Sequence, residues 1–206
     1  MNNVFIAIYT NEVKRYCDEI FFDNIRRIVP STSTLVIVDN SPTTEYTERI
    51  RMLMDGYGEY TLIHIDLPKE ESHRFQKSVL KSLKVLEKEF LNSYCEYFLI
   101  IESDVIPSEE DFDLLVEDAE RNPDFGAIGG LYYSGIHNRI ADAEVVEEEC
   151  VFSGFTIYSR KAIQEIGFSW NESFPPCFPD SCMKYELLSH GYKVGNDHRI
   201  FCPHLK

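Results

Sequence analysis

Apolar runs alternate with amphipathic segments along most of the chain. Short runs rich in β-branched and aromatic residues are typical of buried strands, and apolar positions that recur every three or four residues indicate helices. The predicted strands cover 4–9, 35–39, 59–66, 97–104, 125–131, 150–158 and 192–202. The predicted helices cover 11–28, 43–54, 72–91, 108–121, 160–166 and 180–190.

The order of these elements predicts the fold class. Strands and helices alternate strictly up to about residue 131, as they do in an α/β protein with a mostly parallel, doubly wound sheet. The pattern is looser beyond that point, but no repeat, low-complexity tract or linker separates the two parts. We therefore expect one domain over 1–206, in which 1–131 forms a nucleotide-type crevice and 132–206 covers it.

Two acids at the end of one predicted strand are the first candidate for chemistry. Glu102 and Asp104 follow the apolar run 97–101 and lie two positions apart, so in an extended chain they point the same way. Ligands of open α/β sheets bind at the carboxyl ends of strands. Two carboxylates in one cleft repel each other unless a cation joins them, which favours a hard-metal site serving a diphosphate substrate. The alternative is a solvated turn.

Composition narrows the class of protein. The net charge of −15 argues against a nucleic-acid-binding surface and against adsorption to an anionic membrane. A hydrophobic content of 44% is enough for a substantial core. No segment approaches the roughly 20 apolar residues that span a bilayer. The acidic run 144–149 is interpreted as a solvated loop or strand rim.

The cysteines and the start of the chain suggest a compartment. Six cysteines are scattered without a zinc-binding pattern, and a chain with a real core does not need disulfides, so buried free thiols are expected. The chain opens directly into a strand with no basic leader before it. Together these features predict a cytoplasmic protein.

Four blocks resemble family 2 glycosyltransferases with the GT-A fold. The segment YFLIIESDVIPSEEDFDLLVEDAERNPDFGAIGGLY (97–132) resembles the family's central strand, its Asp-x-Asp motif and the following helix and strand. LVIVDNSP (35–42) resembles the second strand, and SGFTIYSRKAIQEIGF (153–168) resembles the acceptor-side block. FPDSCMKYELLSHGYKVGNDHRIFCPHL (178–205) resembles the family's acidic helix, Gly-Tyr turn and closing histidine. Agreement is thinner at 55–75 and 133–150.

This resemblance implies a metal site. Asp104 would bind the cation directly, and Glu102 would bind it through water or contact the ribose. His204 would be a third ligand, and its nitrogen donor favours Mn²⁺ over Mg²⁺. The alternative for His204 is a mobile residue near the end of the chain. The first acid of the family's motif is a glutamate here, one methylene longer.

Nucleotide-binding residues are expected around the ends of the first strands. Thr10, Asn11 and Glu12 follow the first strand, where the nucleotide would lie. Asp39 would accept a hydrogen bond from the base, or else stabilise the turn before Pro42. The full set predicted for the nucleotide sugar is Thr10, Asn11, Glu12, Asp39, Arg74, Lys77, Glu102 and Ser103. Arg74 and Lys77 would neutralise the diphosphate, or else solvate a helix face.

The second half would supply the base and the acceptor site. Asp180 falls on an acid of the family's helix and is the predicted general base, although an N-cap role is the alternative. A base acting in line with the leaving group would invert the anomeric centre. Gly154 and Trp170 are the predicted acceptor-side residues. Pro179 and Cys182 replace two of the family's acids, which weakens the match at this helix.

The sequence therefore predicts a metal-dependent glycosyltransferase. It would use Mn²⁺ or Mg²⁺ and move a sugar from a nucleotide-diphosphate sugar to a hydroxyl of a glycan, a lipid-linked or a protein acceptor. One alternative is a sugar-phosphate nucleotidyltransferase, whose glycine-rich basic loop is not found at Tyr9–Glu12. A second is a non-catalytic nucleotide-sugar-binding protein that keeps the fold. Oligomeric state is left open.

Overall fold

The computed structural model describes residues 4–72, 74–132, 144–148, 154–170 and 178–205. The described strands are β1 (Val4–Thr10), β2 (Thr34–Asp39), β3 (Thr61–His64), β4 (Tyr97–Ile101), β5 (Phe125–Tyr132), β6 (Val145–Glu147), β7 (Phe155–Ser159) and β8 (Lys193–Cys202). The described helices are α1 (Asp18–Ile28), α2 (Glu45–Leu53), α3 (Lys69–Ser72), α4 (Phe75–Asn92), α5 (Glu109–Arg121), α6 (Arg160–Glu165) and α7 (Pro179–Ser189). A short 3-10 helix covers Glu12–Lys14.

All described strands join one sheet in the order β3-β2-β1-β4-β7-β5-β8-β6. Strands β3, β2, β1 and β4 are parallel neighbours, and β5 pairs in parallel with β8. Strand β7 runs antiparallel between β4 and β5, and β6 runs antiparallel to β8. The predicted α/β class with a mostly parallel sheet is confirmed.

Helices cover both faces of the sheet because its strands are apolar on both sides. Along β1, Ile6 and Ile8 pack in a cluster with α1, α2 and α5. Phe5 and Ala7 point the other way and pack in a second cluster with α4, α6 and α7. Strands buried on both faces read as nearly continuous apolar runs, which is why the sequence pattern identified them.

Element boundaries differ from prediction where side chains cap the backbone. The predicted helix 11–28 is two elements, because the Asn11 side chain accepts a hydrogen bond from the Val13 amide (3.1 Å) and caps the 3-10 helix. Helix α1 begins only at Asp18. Strand β4 ends at Ile101, before the acids that the prediction included in it. The short strand β6 within the acidic run depends on pairing with β8, a contact that local sequence does not show.

Two further expectations concern the whole chain. Among the described residues, none of the helices has both the length and the apolar content needed to cross a bilayer. Cys17, Cys95 and Cys202 are buried free thiols, and Cys182 is also buried. Cys150 and Cys177 lie outside the described residues.

Candidate functional site

The carboxyl ends of β1, β2 and β4 lie side by side because the three strands are parallel neighbours. The loops that follow them surround a cavity of about 330 Å³, here called the strand-end cavity. Its lining residues are Tyr9, Thr10, Asn11, Val13, Lys14, Asn40, Ser72, Phe75, Ser78, Val79 and Ser103. Three of the residues predicted for the nucleotide, namely Thr10, Asn11 and Ser103, therefore surround one cavity.

A buried amide network holds the first two loops together. The Asn11 side-chain amide donates to the Asn40 side-chain oxygen (2.6 Å), to the Asn40 carbonyl (3.1 Å) and to the Ser72 hydroxyl (3.0 Å). The Glu12 backbone amide donates to the Ser41 hydroxyl (2.8 Å). The wall of the cavity is thus built from polar groups whose positions are determined by tertiary hydrogen bonds.

Asp39 is buried at the turn after β2. Its Oδ1 accepts from the Ser41 amide (2.9 Å) and its Oδ2 from the Thr47 hydroxyl (2.5 Å). The His64 ring lies 3.3 Å from the same Oδ2. Both carboxylate oxygens have partners inside the protein, and the contact of Asp39 with a base stays a prediction. Asn40, the next residue, lines the strand-end cavity.

Glu102 and Asp104 follow β4 in a turn rather than in an extended chain, and their joint binding of a metal stays a prediction. The chain turns directly after β4, and the Val105 amide donates to the Glu102 carbonyl (2.9 Å). Because the chain is not extended here, strand geometry no longer implies that positions two apart point the same way. Glu102 lines a second cavity, described below. Within the described residues, no three His, Cys, Asp or Glu side chains gather as a metal-binding group.

Asp104 and His204 do come together. The terminal segment runs back along the loop after β4, pairing His204 with Val105 in a β-bridge, and the Leu205 amide donates to the Asp104 carbonyl (2.8 Å). This places His204 Nε2 3.2 Å from Asp104 Oδ2. The backbone pairing gives His204 a defined position beside Asp104, and its role as a metal ligand stays a prediction.

Two further side chains reach the same carboxylate oxygen. The Lys14 ammonium forms an ion pair with Asp104 Oδ2, and the Tyr16 hydroxyl donates to it (3.2 Å). Burial and the negative charge of Asp104 raise the pKa of Tyr16, so its hydroxyl stays a donor. The same two causes raise the pKa of the buried Cys17 thiol to about 11.

Two of the side chains that meet at Asp104 are suitable ligands of a divalent cation. Asp104 Oδ1 and His204 Nδ1 are buried and have no hydrogen-bond partner. A carboxylate oxygen and an imidazole nitrogen are a donor set that Mn²⁺ accepts. Two protein ligands leave coordination positions for phosphate oxygens and water, as metals that serve nucleotides require. Asp104 and His204 therefore fit such an ion.

A second cavity of about 200 Å³ lies beside the first and shares Tyr9, Phe75 and Val79 with it. We call it the aromatic cavity. It is lined by Tyr9, Phe75, Val79, Leu83, Ile100, Glu102, Tyr132, Tyr158, Phe168, Phe178 and Pro179. Helix α7 begins here at Pro179, so the backbone of Asp180 is in its first turn. The Asp180 side chain lies outside the described part of the structure.

The structure gives detailed contacts for Gly154, one of the two predicted acceptor residues, and only the degree of burial for the other, Trp170. Gly154 is a packing residue, because a Cβ at this position would lie 2.8 Å from Val105 Cγ2 and 3.0 Å from Tyr132 Cε1. Its carbonyl accepts from the Glu102 amide (2.8 Å). Trp170 is half-buried, and its contact with an acceptor stays a prediction.

Arg74 and Lys77 lie where helix α4 starts. Arg74 is exposed and precedes the helix, and Lys77 is half-buried in its first turn. Lys81 has the largest effect in lowering the pKa of Glu71, and the charges of Lys77 and Arg74 add smaller effects in the same direction. This interaction agrees with the solvated-helix alternative, and neither Arg74 nor Lys77 is among the described residues that line the strand-end cavity.

Sequence reasoning missed Lys14, Asn40 and Ser72. Lys14 was hidden by the prediction of a single helix over 11–28, in which it looks like a solvent-facing lysine. The signal that could have found it is topological. If β1 and β4 are neighbours, a lysine soon after β1 can reach an acid soon after β4.

The strand order, the flanking helices and the crevice at the strand ends define a GT-A glycosyltransferase fold. Three solved structures show the likeness. S. aureus TarS 1-349 in complex with UDP-GlcNAc is 12% identical, with a TM-score of 0.70, over 99% of this chain and 58% of that one. The mannosyltransferase PcManGT from Pyrobaculum calidifontis, in complex with GDP-Man and Mn²⁺, is 16% identical, with a TM-score of 0.75, over 98% and 56%. GalNAc-T7 with UDP, GalNAc and Mn²⁺ is 9% identical, with a TM-score of 0.75, over 99% and 44%.

These likenesses extend to the fold alone, since sequence identity is low. The chain spans less than two thirds of each of those three structures. No protein-family model matches the sequence, and no curated protein is significantly similar to it.

Proposed function

We propose that this chain is a glycosyltransferase domain that moves a sugar from a nucleotide-diphosphate sugar to an acceptor hydroxyl, with Mn²⁺ or Mg²⁺ as cofactor. The observation that carries the proposal is the strand-end cavity next to the Asp104–His204 pair, in a GT-A fold. TarS, PcManGT and GalNAc-T7 were each solved with a nucleotide or nucleotide sugar, which supports a donor of this class.

This reaction requires a site that stabilises the negative charge of the leaving group. A nucleoside diphosphate departs with developing negative charge, and stabilising that charge is the main contribution a site can make. A divalent cation held by Asp104 and His204 would supply this stabilisation as a Lewis acid. The protein positions the two side chains by pairing the terminal segment with the loop after β4. Thr10, Asn11, Asn40 and Ser103 would orient the nucleotide through neutral hydrogen bonds.

The aromatic cavity is the proposed location of the transferred sugar and of the acceptor hydroxyl. Aromatic faces exclude water, which protects the activated donor from hydrolysis. The hydroxyl needs a base, and we assign that role to Asp180, because α7 begins at the edge of this cavity. Glu102, the one acid among the described lining residues, would contact the sugar rather than the metal. A single base acting in line with the leaving group gives inversion.

The nucleotidyltransferase alternative receives less support from the structure. That chemistry needs a glycine-rich loop around a triphosphate, whereas the loop after β1 is a 3-10 helix capped by Asn11. Geometry does not distinguish a non-catalytic nucleotide-sugar-binding protein from an active glycosyltransferase, but experiment does. Binding of the donor without turnover would favour the non-catalytic alternative.

Donor binding is the first test. We expect UDP, GDP or dTDP to raise the melting temperature of the protein in the presence of Mn²⁺. Asp104→Asn should abolish this shift, because it removes the anionic ligand of the cation. The matched control is Asp23→Asn, at an exposed position on α1, which should keep the full shift.

Turnover of the matching nucleotide sugars then completes the test. Slow release of free nucleoside diphosphate from the donor, dependent on Mn²⁺, is the expected result. The proposal is refuted if no nucleotide binds the folded wild-type protein, or if Asp104→Asn binds it with unchanged affinity.

A further inference from the structure

Lys14 forms an ion pair with the buried acid predicted to bind the metal. The Asp104 side chain is only 3% exposed, and the Lys14 side chain is 21% exposed. Most lysines of this protein lie on the surface, and exposed pairs contribute little to stability. A pair with a buried carboxylate is different, because the carboxylate has lost most of its water and depends on its protein partners.

The position of Lys14 is set by the backbone of two loops. The 3-10 helix that carries it is capped by Asn11 and attached to Ser41. The Cys17 thiol donates to the Lys14 carbonyl (3.1 Å) and to the Ser103 carbonyl (3.3 Å), which joins the loop after β1 to the loop after β4. Lys14 therefore lies beside Asp104 because of the fold.

The same lysine also lines the strand-end cavity. Lys14 thus pairs with Asp104 and also borders the space proposed for the diphosphate. A divalent cation on Asp104 and an ammonium on the same oxygen would repel each other at contact distance.

From this juxtaposition we infer that Lys14 is an internal counter-ion, which leaves Asp104 when a divalent cation binds there and turns to the diphosphate in the strand-end cavity. The second half of this inference rests on the proposed function. Without a nucleotide, Lys14 keeps the metal affinity of the site low, because the cation must first displace the ammonium from its ion pair with Asp104. With a nucleoside diphosphate present, the ammonium gains a new anionic partner, so cation and nucleotide bind cooperatively.

Manganese binding without any nucleotide tests the first half directly. Calorimetric or EPR titration of the wild type with Mn²⁺ should show weak binding. Lys14→Met should bind Mn²⁺ about tenfold more tightly, within the usual range of coupling between two sites. Lys14→Arg keeps the charge and should stay close to wild type. The matched control is Lys161→Met, which removes the lysine of the exposed Lys161–Glu165 pair and should leave Mn²⁺ affinity unchanged.

A melting experiment keeps the test valid if the Lys14→Met protein is unstable. The buried Asp104 then lacks its counter-ion, and Mn²⁺ should raise the melting temperature of this variant more than that of the wild type. Lys14→Gln, which keeps a hydrogen-bond donor without the charge, serves the same purpose. Equal Mn²⁺ affinity and equal stabilisation in wild type, Lys14→Met and Lys14→Gln would overturn the inference.

Titrations with UDP and GDP separate this inference from the proposed function. In the wild type, nucleotide should tighten Mn²⁺ binding, and this gain should be largely lost in Lys14→Met. If Lys14→Met tightens Mn²⁺ binding but no nucleotide binds any variant, the counter-ion role of Lys14 is supported and the donor proposal fails. If nucleotide and Mn²⁺ bind the wild type but Mn²⁺ affinity is unchanged in Lys14→Met, the donor proposal stands and this inference fails.

Discussion

At the scale of residues, the end of β4 shows how a small backbone change redirects chemistry. Glu102 and Asp104 are separated by one residue, yet the turn that closes on Val105 sends Glu102 to the aromatic cavity and Asp104 to Lys14, Tyr16 and His204. Glu102 thus lines a cavity formed mainly by aromatic and aliphatic side chains. The other acid is surrounded by donors that compensate its burial.

Gly154 allows this turn to pack against β7. Gly154→Ala should destabilise the protein by about 1–3 kcal/mol, the usual range for an added methyl group in a packed interior. The new Cβ would lie 2.8 Å from Val105 Cγ2 and 3.0 Å from Tyr132 Cε1, so the Val105 side chain or the backbone of the turn must shift. Urea unfolding of the variant and the wild type measures the difference.

The control for this prediction is Gly58→Ala, whose Cβ would lie 3.2 Å from Ser31 Cβ, with the Ser31 backbone no nearer than 3.9 Å. Its effect should be smaller, because a surface neighbour can shift by a few tenths of an ångström. Equal stability of Gly154→Ala and the wild type would show that the turn is looser than the structure indicates.

At the scale of elements, α5 is joined to β8 by a buried cluster of charges. Arg199 pairs with Asp197 (2.6 Å) and with Asp118 (2.8 Å). Both acids are nearly inaccessible to solvent, and Asp118 Oδ2 has no hydrogen-bond partner. Burial and the neighbouring Asp197 raise the pKa of Asp118 to about 7, and together they outweigh the opposing effect of Arg199. Arg199 holds the pKa of Asp197 below its ordinary value.

Protonation of Asp118 makes this contact dependent on pH. The pKa of Asp118 is higher in the folded chain than in the unfolded chain, so between about pH 4 and 7 the folded chain binds more protons. The contribution of Asp118 to the free energy of unfolding therefore falls as the pH rises through this range. Asp118→Asn mimics the protonated carboxyl. The variant should gain stability relative to the wild type on going from pH 4 to pH 8, by on the order of a few kcal/mol.

Urea unfolding at several pH values measures this difference. Asp113→Asn, at an exposed position on the same helix, is the matched control. A stability difference between Asp118→Asn and the wild type that is the same at pH 4 and pH 8 would show that Asp118 does not carry the proton.

At the scale of the whole molecule, the sheet brings residues from 1–131 and from 132–206 together near the carboxyl ends of β1, β2 and β4. Strands β1, β2 and β4 supply the strand-end cavity, and β8 passes through the same sheet before the chain returns to Asp104. Helix α7 approaches the aromatic cavity from the other part. We therefore propose that the donor binds near the amino-terminal strands and that α7 carries the base.

This division predicts that binding and turnover can be separated. Asp180→Asn should bind nucleoside diphosphate and Mn²⁺ as the wild type does, because the strand-end cavity is unchanged. Turnover on an added acceptor should fall by about 100-fold or more, the contribution of a general base. Ser181→Ala, the next position in the same helix turn, is the control. Transfer at a near-normal rate in Asp180→Asn would place the base elsewhere, and Glu102→Gln would then be tested.

The sequence by itself determined the fold class and the order of most elements. Strands buried on both faces are apolar throughout, and amphipathic helices repeat every three to four residues, so both are recorded locally in the chain. Asp104 was a candidate because it follows an apolar strand and ligands gather at strand ends, whereas His204 was a candidate only through the resemblance to the family's closing histidine.

Only the tertiary structure decided which groups meet. The turn that carries Glu102 and Asp104 packs against Gly154, and Asp39 lies beside Thr47 and His64 from other elements. The Lys14–Asp104 pair joins residues 90 positions apart. Such contacts arise from the order of strands in the sheet, and local patterns of polar and apolar residues contain no information about that order.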